Sequence, residues 1–390
     1  MSSIDQDKSS PVVIVGTGLA GYSLAREFRK LDKDSPLLLI TADDGHSYSK
    51  PMLSTGFTKK KTADQLSMAD PGKMAEQLNA EIRTYTTVTG IDSAGKALLI
   101  GDERVVYSRL VLAWGADVIQ PPVKGNALEN VFSINDLTDY RKFRAALEGR
   151  KRILIMGAGL IGCEFANDLL ADGYSVDIVA PSSSVMPTLL PELAANAVQQ
   201  ALQENGVRFH LEQTADSIDH GDNGLAVQLS GGEIVHTDIV ISAVGLRPRT
   251  AIAAQSGLTV NRGIVVDRSL QTSAADVYAL GDCAEVDGHV MLYVLPLMAG
   301  ARALAKTLAG TPAVVKYEAM PVMVKTPSCP VSVALPPKDS EGEWKIDVDG
   351  NNVRAVYINT DGNLLGFALT GTYVDEKQVL SKQLPPIHHE

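Results

Sequence analysis

Two runs of the chain have the residue types and spacing to cradle a pyrophosphate: Gly16-Thr17-Gly18-Leu19-Ala20-Gly21 and Gly157-Ala158-Gly159-Leu160-Ile161-Gly162. In such a run the first glycine makes a tight strand-to-helix turn and the second leaves the backbone open to the anion. The third lets the helix lie close on the strand. The anion then faces the free amides of a helix start, which carries about half a positive charge. One glycine run is a weak signal, but two copies in the same context are a strong one.

The context is indeed repeated. An apolar strand at 11–15 leads into the first run, and a helix continues to about Lys30. A strand at 153–156 leads into the second, with a helix to about Ala171. The second strands of the two units are 37–40 and 176–179. At the end of that second strand an acidic residue normally holds a ribose 2′-hydroxyl. The first unit has Thr41, then Ala42, Asp43 and Asp44, so a hydroxyl or a displaced carboxylate must serve. The second has Ala180, then Pro181 and three serines. No arginine or lysine stands near Ala180 to hold the extra phosphate of NADPH. A charge-assisted hydrogen bond contributes ~1.5–3 kcal/mol, so its absence favours NADH.

Two dinucleotide sites on one chain point to hydride traffic between a nicotinamide and a flavin. Two further strands run into glycines, through Ala113 to Gly115 and through Ala243 to Gly245. Another ends on Gly281-Asp282, which puts an aspartate at the ligand-binding mouth of an α/β sheet. Near the end of the chain, Asp349-Gly350 and Asp361-Gly362 each divide alternating apolar runs, a hairpin pattern.

With 390 residues, 45% of them apolar, the chain is expected to form two or three domains. A net charge of −11 argues against nucleic acid as a partner. No uninterrupted apolar run reaches the ~20 residues of a membrane span, and the polar start at 1–10 carries no signal-peptide core. A cytoplasmic protein without membrane insertion is expected. The cysteines Cys163, Cys283 and Cys329 are far apart, with neither metal-ligand nor redox-pair spacing, so no metal site is expected. Cys163 and Cys283 are read as packing residues.

Over residues 11–310 these segments, in this order, resemble the FAD-dependent pyridine nucleotide reductase family. The resemblance implies an α/β fold of two Rossmann-like dinucleotide-binding domains and a small C-terminal α+β domain. The FAD-binding domain would comprise 1–117 and 247–318, the NAD-binding domain 118–246, and the C-terminal domain 319–390. The segment Ser47-Tyr48-Ser49-Lys50-Pro51-Met52-Leu53-Ser54 sits where the disulfide-reducing branch carries its redox cysteines, and it has none. A disulfide or peroxide reductase is therefore disfavoured. With Gly162-Cys163-Glu164 and Val324-Lys325-Thr326-Pro327, the resemblance is to the branch that passes electrons from NADH, through tightly bound FAD, singly to rubredoxin in alkane oxidation. A ferredoxin acceptor, or an NADH-responsive signalling flavoprotein, are the alternatives. The short C-terminal domain implies a monomer.

The resemblance also implies residue roles. Lys50 and Glu164 would pair beside the reactive flavin nitrogen as the catalytic residues, and either buried alone would cost several kcal/mol. FAD would be held by Gly16, Thr17, Gly18, Leu19, Ala20, Gly21, Thr41, Ala42, Lys50 and Pro51. Val88 would lie by its adenine and Asp282 on its ribityl chain. Lys325, with the helix start at Val294, would meet its pyrimidine end, and Ala113 and Gly115 would form the crossing strand. Gly157, Gly159, Gly162, Glu164 and Gly245 would serve the NAD site. Docking of an acidic rubredoxin calls for a positive patch, for which Lys59-Lys60-Lys61 is the candidate, joined by Arg302 and Lys306.

Overall fold

A computed structural model describes residues 10–387. The chain divides into two compact units. The first comprises Met1–Lys50, Ser67–Asp117 and Leu246–Tyr317, and the second Pro51–Leu66, Val118–Gly245 and Glu318–Glu390.

At the centre of the first unit the strand Val12–Val15 is buried along its whole length. A strand covered on both faces has no solvent side to mark, so it reads as a continuous apolar run. It pairs in parallel with Leu37–Ile40 on one side and Arg109–Leu112 on the other. Glu81–Arg83 and Val277–Ala279 complete a five-stranded parallel sheet. The helix Leu19–Leu31 leaves the first strand at the glycine run and packs along the helix Val294–Leu308.

The second unit repeats this plan. Arg152–Met156 is its central strand, flanked in parallel by Ser175–Ala180 and Ile239–Ser242, with Arg208–Leu211 and Val131–Phe132 at the edges. The helix Leu160–Ala171 follows the second glycine run. The repeat seen in the sequence is thus a repeat of strand order. The same unit holds a five-stranded sheet from the end of the chain, ordered Val322–Val324, Val331–Ala334, Leu364–Thr370, Asn352–Ile358, Glu343–Asp349 and antiparallel throughout. Two of its three hairpins turn at the expected places, with Gly350 and Gly362 in the left-handed region. Short helical turns at Gly371–Glu376 and Lys377–Ser381 complete this α+β part, and Phe367, Leu369 and Leu380 sit in its core.

The expected layout runs 1–117 as one piece, but Pro51–Leu66 clusters with the second unit. Phe57 explains why. Its buried ring meets Tyr140, Phe143 and Tyr174 edge-on at centroid distances of 6.1, 6.1 and 5.6 Å. The Arg144 guanidinium lies 4.2 Å from the ring centre.

The glycine runs show which positions are packing constraints. A Cβ on Gly21 would land on the carbonyl oxygen of Gly16, and one on Gly162 on that of Gly157. Gly18 and Gly159 have nothing within 4 Å of a built Cβ. Gly162→Ala should therefore lower unfolding stability by about 1–3 kcal/mol. Gly159→Ala should change it by less than about 1 kcal/mol, the size of an N-cap effect. Urea unfolding of both variants checks this, and equal losses would contradict the assignment.

Candidate functional site

In the first unit the groups that could hold a dinucleotide gather at the carboxyl ends of the strands. Gly16 lies so close to the crossing strand that a Cβ would meet the Ala113 carbonyl, while Gly115, with φ +77°, opens onto free space. Gly18 caps the helix Leu19–Leu31 without a side-chain hydrogen bond, so its first amides stay available. Leu19 and Ala20 form the first turn, and Thr17 and Ala20 are buried beneath it.

The sequence left either a hydroxyl or a displaced carboxylate at the end of the second strand. The structure joins the two. The Thr41 hydroxyl donates to Asp43 Oδ1 at 2.7 Å, the Thr17 hydroxyl at 3.2 Å, and the Gly45 N–H at 2.9 Å. Asp43 is the hub of this loop, with Ala42 between the two partners, and it is one of the two displaced carboxylates that the sequence offered beyond Thr41.

Elsewhere in the unit, Val88 is buried, and Val294 opens the helix Val294–Leu308 with no side-chain cap from Tyr293. Gly281 has φ +79°, and a Cβ there would press on Ala20 at 2.8 Å. Asp282, next to it, lies 3.5 Å from the Lys50 ammonium. Arg302 and Lys306 are exposed on this unit's helix.

In the second unit the cradle is built the same way. Gly157 approaches the Ala243 carbonyl, Gly159 caps the helix Leu160–Ala171 with open space before it, and Gly245 has φ +119°. Both cradles combine a close-packed backbone with an unobstructed helix start, the shape and charge that a dinucleotide pyrophosphate needs. The residues present therefore fit FAD and NADH.

Beside the second cradle lies a cluster that the sequence indicated only in part. Glu164 is 1% exposed, and the Lys325 ammonium stands 2.7 Å from its Oε2. The Ser54 hydroxyl donates to the same oxygen at 2.6 Å, and the Lys325 backbone N–H donates to Oε1 at 2.9 Å. Lys325 Nζ also donates to the Pro51 carbonyl at 2.6 Å and to Ser54 Oγ at 2.8 Å. An ammonium has three protons, and these three partners can take them all.

Where the resemblance paired Glu164 with Lys50 and sent Lys325 to the flavin, each unit shows its own arrangement. Lys325 is a partner of Glu164, and Asp282 is a partner of Lys50. The reason for the first is local: 51–54 and 325 fold against the helix Leu160–Ala171 within one unit.

Two further residues of that helix were missed. Asp168 is buried and accepts the N–H groups of Phe57 at 3.0 Å and Thr58 at 2.8 Å. Asn167 accepts the Ser328 N–H at 3.1 Å. Positions 164, 167 and 168 fall on one helix face, and that spacing was the available signal. Asp168 thereby fixes the turn that presents Lys59, Lys60 and Lys61, all exposed. Burial pushes the thiols of Cys163 and Cys283 up to about 12, which keeps both protonated and inert at neutral pH.

Residues 10–301 match the pyridine nucleotide-disulphide oxidoreductase family, and residues 314–384 match the rubredoxin binding C-terminal domain. A rubredoxin-NAD(+) reductase of Alcanivorax borkumensis is 56% identical over 97% of this chain and 99% of its own. Another of that description, from Acinetobacter baylyi, is 41% identical over 96% and 98%. Among solved structures, a ferredoxin reductase from Rhodopseudomonas palustris superposes with a TM-score of 0.85 at 26% identity, covering 96% of this chain and 95% of that one. No described helix is long and apolar enough to cross a membrane.

Removing Lys325 should leave the Glu164 carboxylate buried and short of its counter-charge. Lys325→Met is expected to cost about 3 kcal/mol, the lower end for a broken buried pair because the ammonium is partly exposed. Adding Glu164→Gln should restore about half of that loss. Chemical unfolding of the single and double variants is the check, and an additive double variant would show that the pair is not coupled.

Proposed function

The chain belongs to the pyridine nucleotide-disulphide oxidoreductase family, and from that premise we propose that it is an NADH-dependent flavoprotein reductase that delivers electrons one at a time to rubredoxin. The observation that carries the reading is the pair of open glycine cradles, one in each unit, at Gly18 and Gly159. One cradle would serve a single dinucleotide, whereas two give a nicotinamide donor and a flavin separate seats. FAD, when bound, supplies the capacity to accept a hydride and release its electrons singly. The cysteine-free segment 47–54 supports an external protein acceptor over a disulfide relay.

The chain's own residues then have the following parts. Gly16 to Gly21 and the helix start behind them bind the FAD pyrophosphate, Thr41 with Asp43 shapes the adenosine end, and Val88 lines it. Asp282 binds the ribityl chain, and Lys50, held toward Asp282, places positive charge near the ring. Gly157 to Gly162 bind the NADH pyrophosphate. Glu164 and Lys325 form a net-neutral, hydrogen-bonded pair beside that cradle, so the buried carboxylate adds no uncompensated charge there. On this reading 1–117 and 247–318 form the FAD-binding domain, 118–246 the NAD-binding domain and 319–390 the partner-binding domain. The protein acts as a cytoplasmic monomer.

Rubredoxins are acidic by family expectation, and this chain carries −11 itself, so docking requires a local cationic patch. The exposed Lys59-Lys60-Lys61 turn, held by Asp168, supplies one in the second unit. Arg302 and Lys306 are exposed on the helix Val294–Leu308 of the first unit.

The purified protein should be yellow, and anaerobic NADH should bleach it. Changing all three lysines to glutamate should slow rubredoxin reduction roughly tenfold at low salt while leaving the bleaching rate unchanged. The difference should fade once screening falls to ~8 Å. Stopped-flow measurements separate the two steps. Undiminished rubredoxin reduction in the variant would move docking to another face, and a protein that takes up no flavin would refute the reading itself.

A further inference from the structure

The strand Ser175–Ala180 ends without the acidic residue that holds an adenosine ribose in NAD-binding folds of this type. Ala180 is buried, and only Pro181, Ser182, Ser183 and Ser184 follow. This neutral run holds no group for the 2′-phosphate of NADPH, and equally none to recognise NADH. The neighbouring strand supplies a group. Arg208–Leu211 runs parallel to Ser175–Ala180, with Leu211 paired to Ala180, so the next residue, Glu212, stands beside the loop where the ribose belongs.

Two backbone hydrogen bonds lock this placement. The Glu212 N–H donates to the Ser182 carbonyl at 3.0 Å, and the Gln213 N–H donates to the Ala180 carbonyl at 3.1 Å. Glu212 has φ +56°, a left-handed backbone that a glutamate adopts at a cost of about 1 kcal/mol or more. Its side chain is exposed, and its carboxylate has no hydrogen bond or ion pair among the described residues. The one lysine or arginine between 180 and 246 is Arg208, and its guanidinium is engaged by Asp177 at 2.6 Å.

Resting on the NADH reading above, we propose that Glu212 is the specificity-determining residue for the adenosine ribose. Its carboxylate accepts a hydrogen bond from the 2′-hydroxyl of NADH and repels the 2′-phosphate of NADPH. The acidic group has moved from the end of the second strand to the end of the adjacent one.

Calorimetry on the FAD-loaded protein with ADP-ribose and 2′-phospho-ADP-ribose tests this without turnover. The wild type should bind ADP-ribose at least roughly tenfold tighter than its 2′-phosphorylated form, the scale of one charge-assisted contact. Glu212→Gln should weaken ADP-ribose binding about fivefold, and Glu212→Arg should invert the preference. Glu212→Asn, whose side chain tolerates the left-handed backbone, replaces the glutamine variant if that one misfolds. The ratio of kcat/KM for NADH over NADPH should follow the same order. Binding of ADP-ribose by the wild type with an affinity ratio unchanged within about twofold in the variants would overturn the assignment of Glu212 alone. No binding of ADP-ribose by the wild type would overturn the nicotinamide site and this inference with it.

Discussion

Burial of the Glu164 carboxylate is the constraint on which the second unit depends. An ionised carboxylate taken out of water costs several kcal/mol even after the protein relaxes. The charge is therefore tolerated only with its partners in place. Lys325 brings an ammonium and a backbone N–H, and Ser54 brings a hydroxyl. These come from segments more than 100 residues away on either side of the helix that carries Glu164. One side chain thus fastens the 51–58 segment and the start of the C-terminal sheet to the helix of the second glycine run. Asn167 and Asp168 extend the same fastening by one turn, and through Asp168 it reaches the lysine turn proposed to meet the partner. The helix of the second glycine run and the lysine turn are in this way tied to one polar cluster.

The two units show one device used twice with different endings. In both, a buried parallel strand delivers glycines to a helix start, and the third glycine is fixed by contact with the carbonyl of the first. The endings of the second strands differ. In the first unit Thr41 and Thr17 both donate to Asp43, so the loop is ordered by its own side chains. In the second unit the strand ends on alanine and proline, and backbone hydrogen bonds fix Glu212, from the end of the next strand, beside it. Such a difference suits a cofactor held permanently on one side and a substrate exchanged on the other.

Much of this was legible in the sequence because it rests on local rules. The glycine spacing marked both strand–helix turns to within a residue or two, and the Asp-Gly pairs marked two of the three hairpins of the C-terminal sheet. These signals need no distant contact to be read. The partners of Glu164 were not legible, although Lys325 stood out as a cation in an apolar stretch. That pairing exists only once the C-terminal sheet and the 51–58 segment have folded onto the helix, and spacing in sequence carries no trace of it. Asp168 and Asn167 were hidden for a different reason. Polar residues on a helix are ordinarily exposed, and only their common face with Glu164 distinguished them. Glu212 became visible only when the register of two parallel strands set it beside Ser182.

On this mechanism one chain converts a two-electron donor into a one-electron supply for rubredoxin. Electron counting tests it most directly. The FAD-loaded protein, mixed anaerobically with limiting NADH and an excess of oxidised rubredoxin, should yield two reduced rubredoxins for each NADH consumed, and the flavin should end oxidised. Consumption of NADH with the flavin bleached and rubredoxin still oxidised would contradict the account.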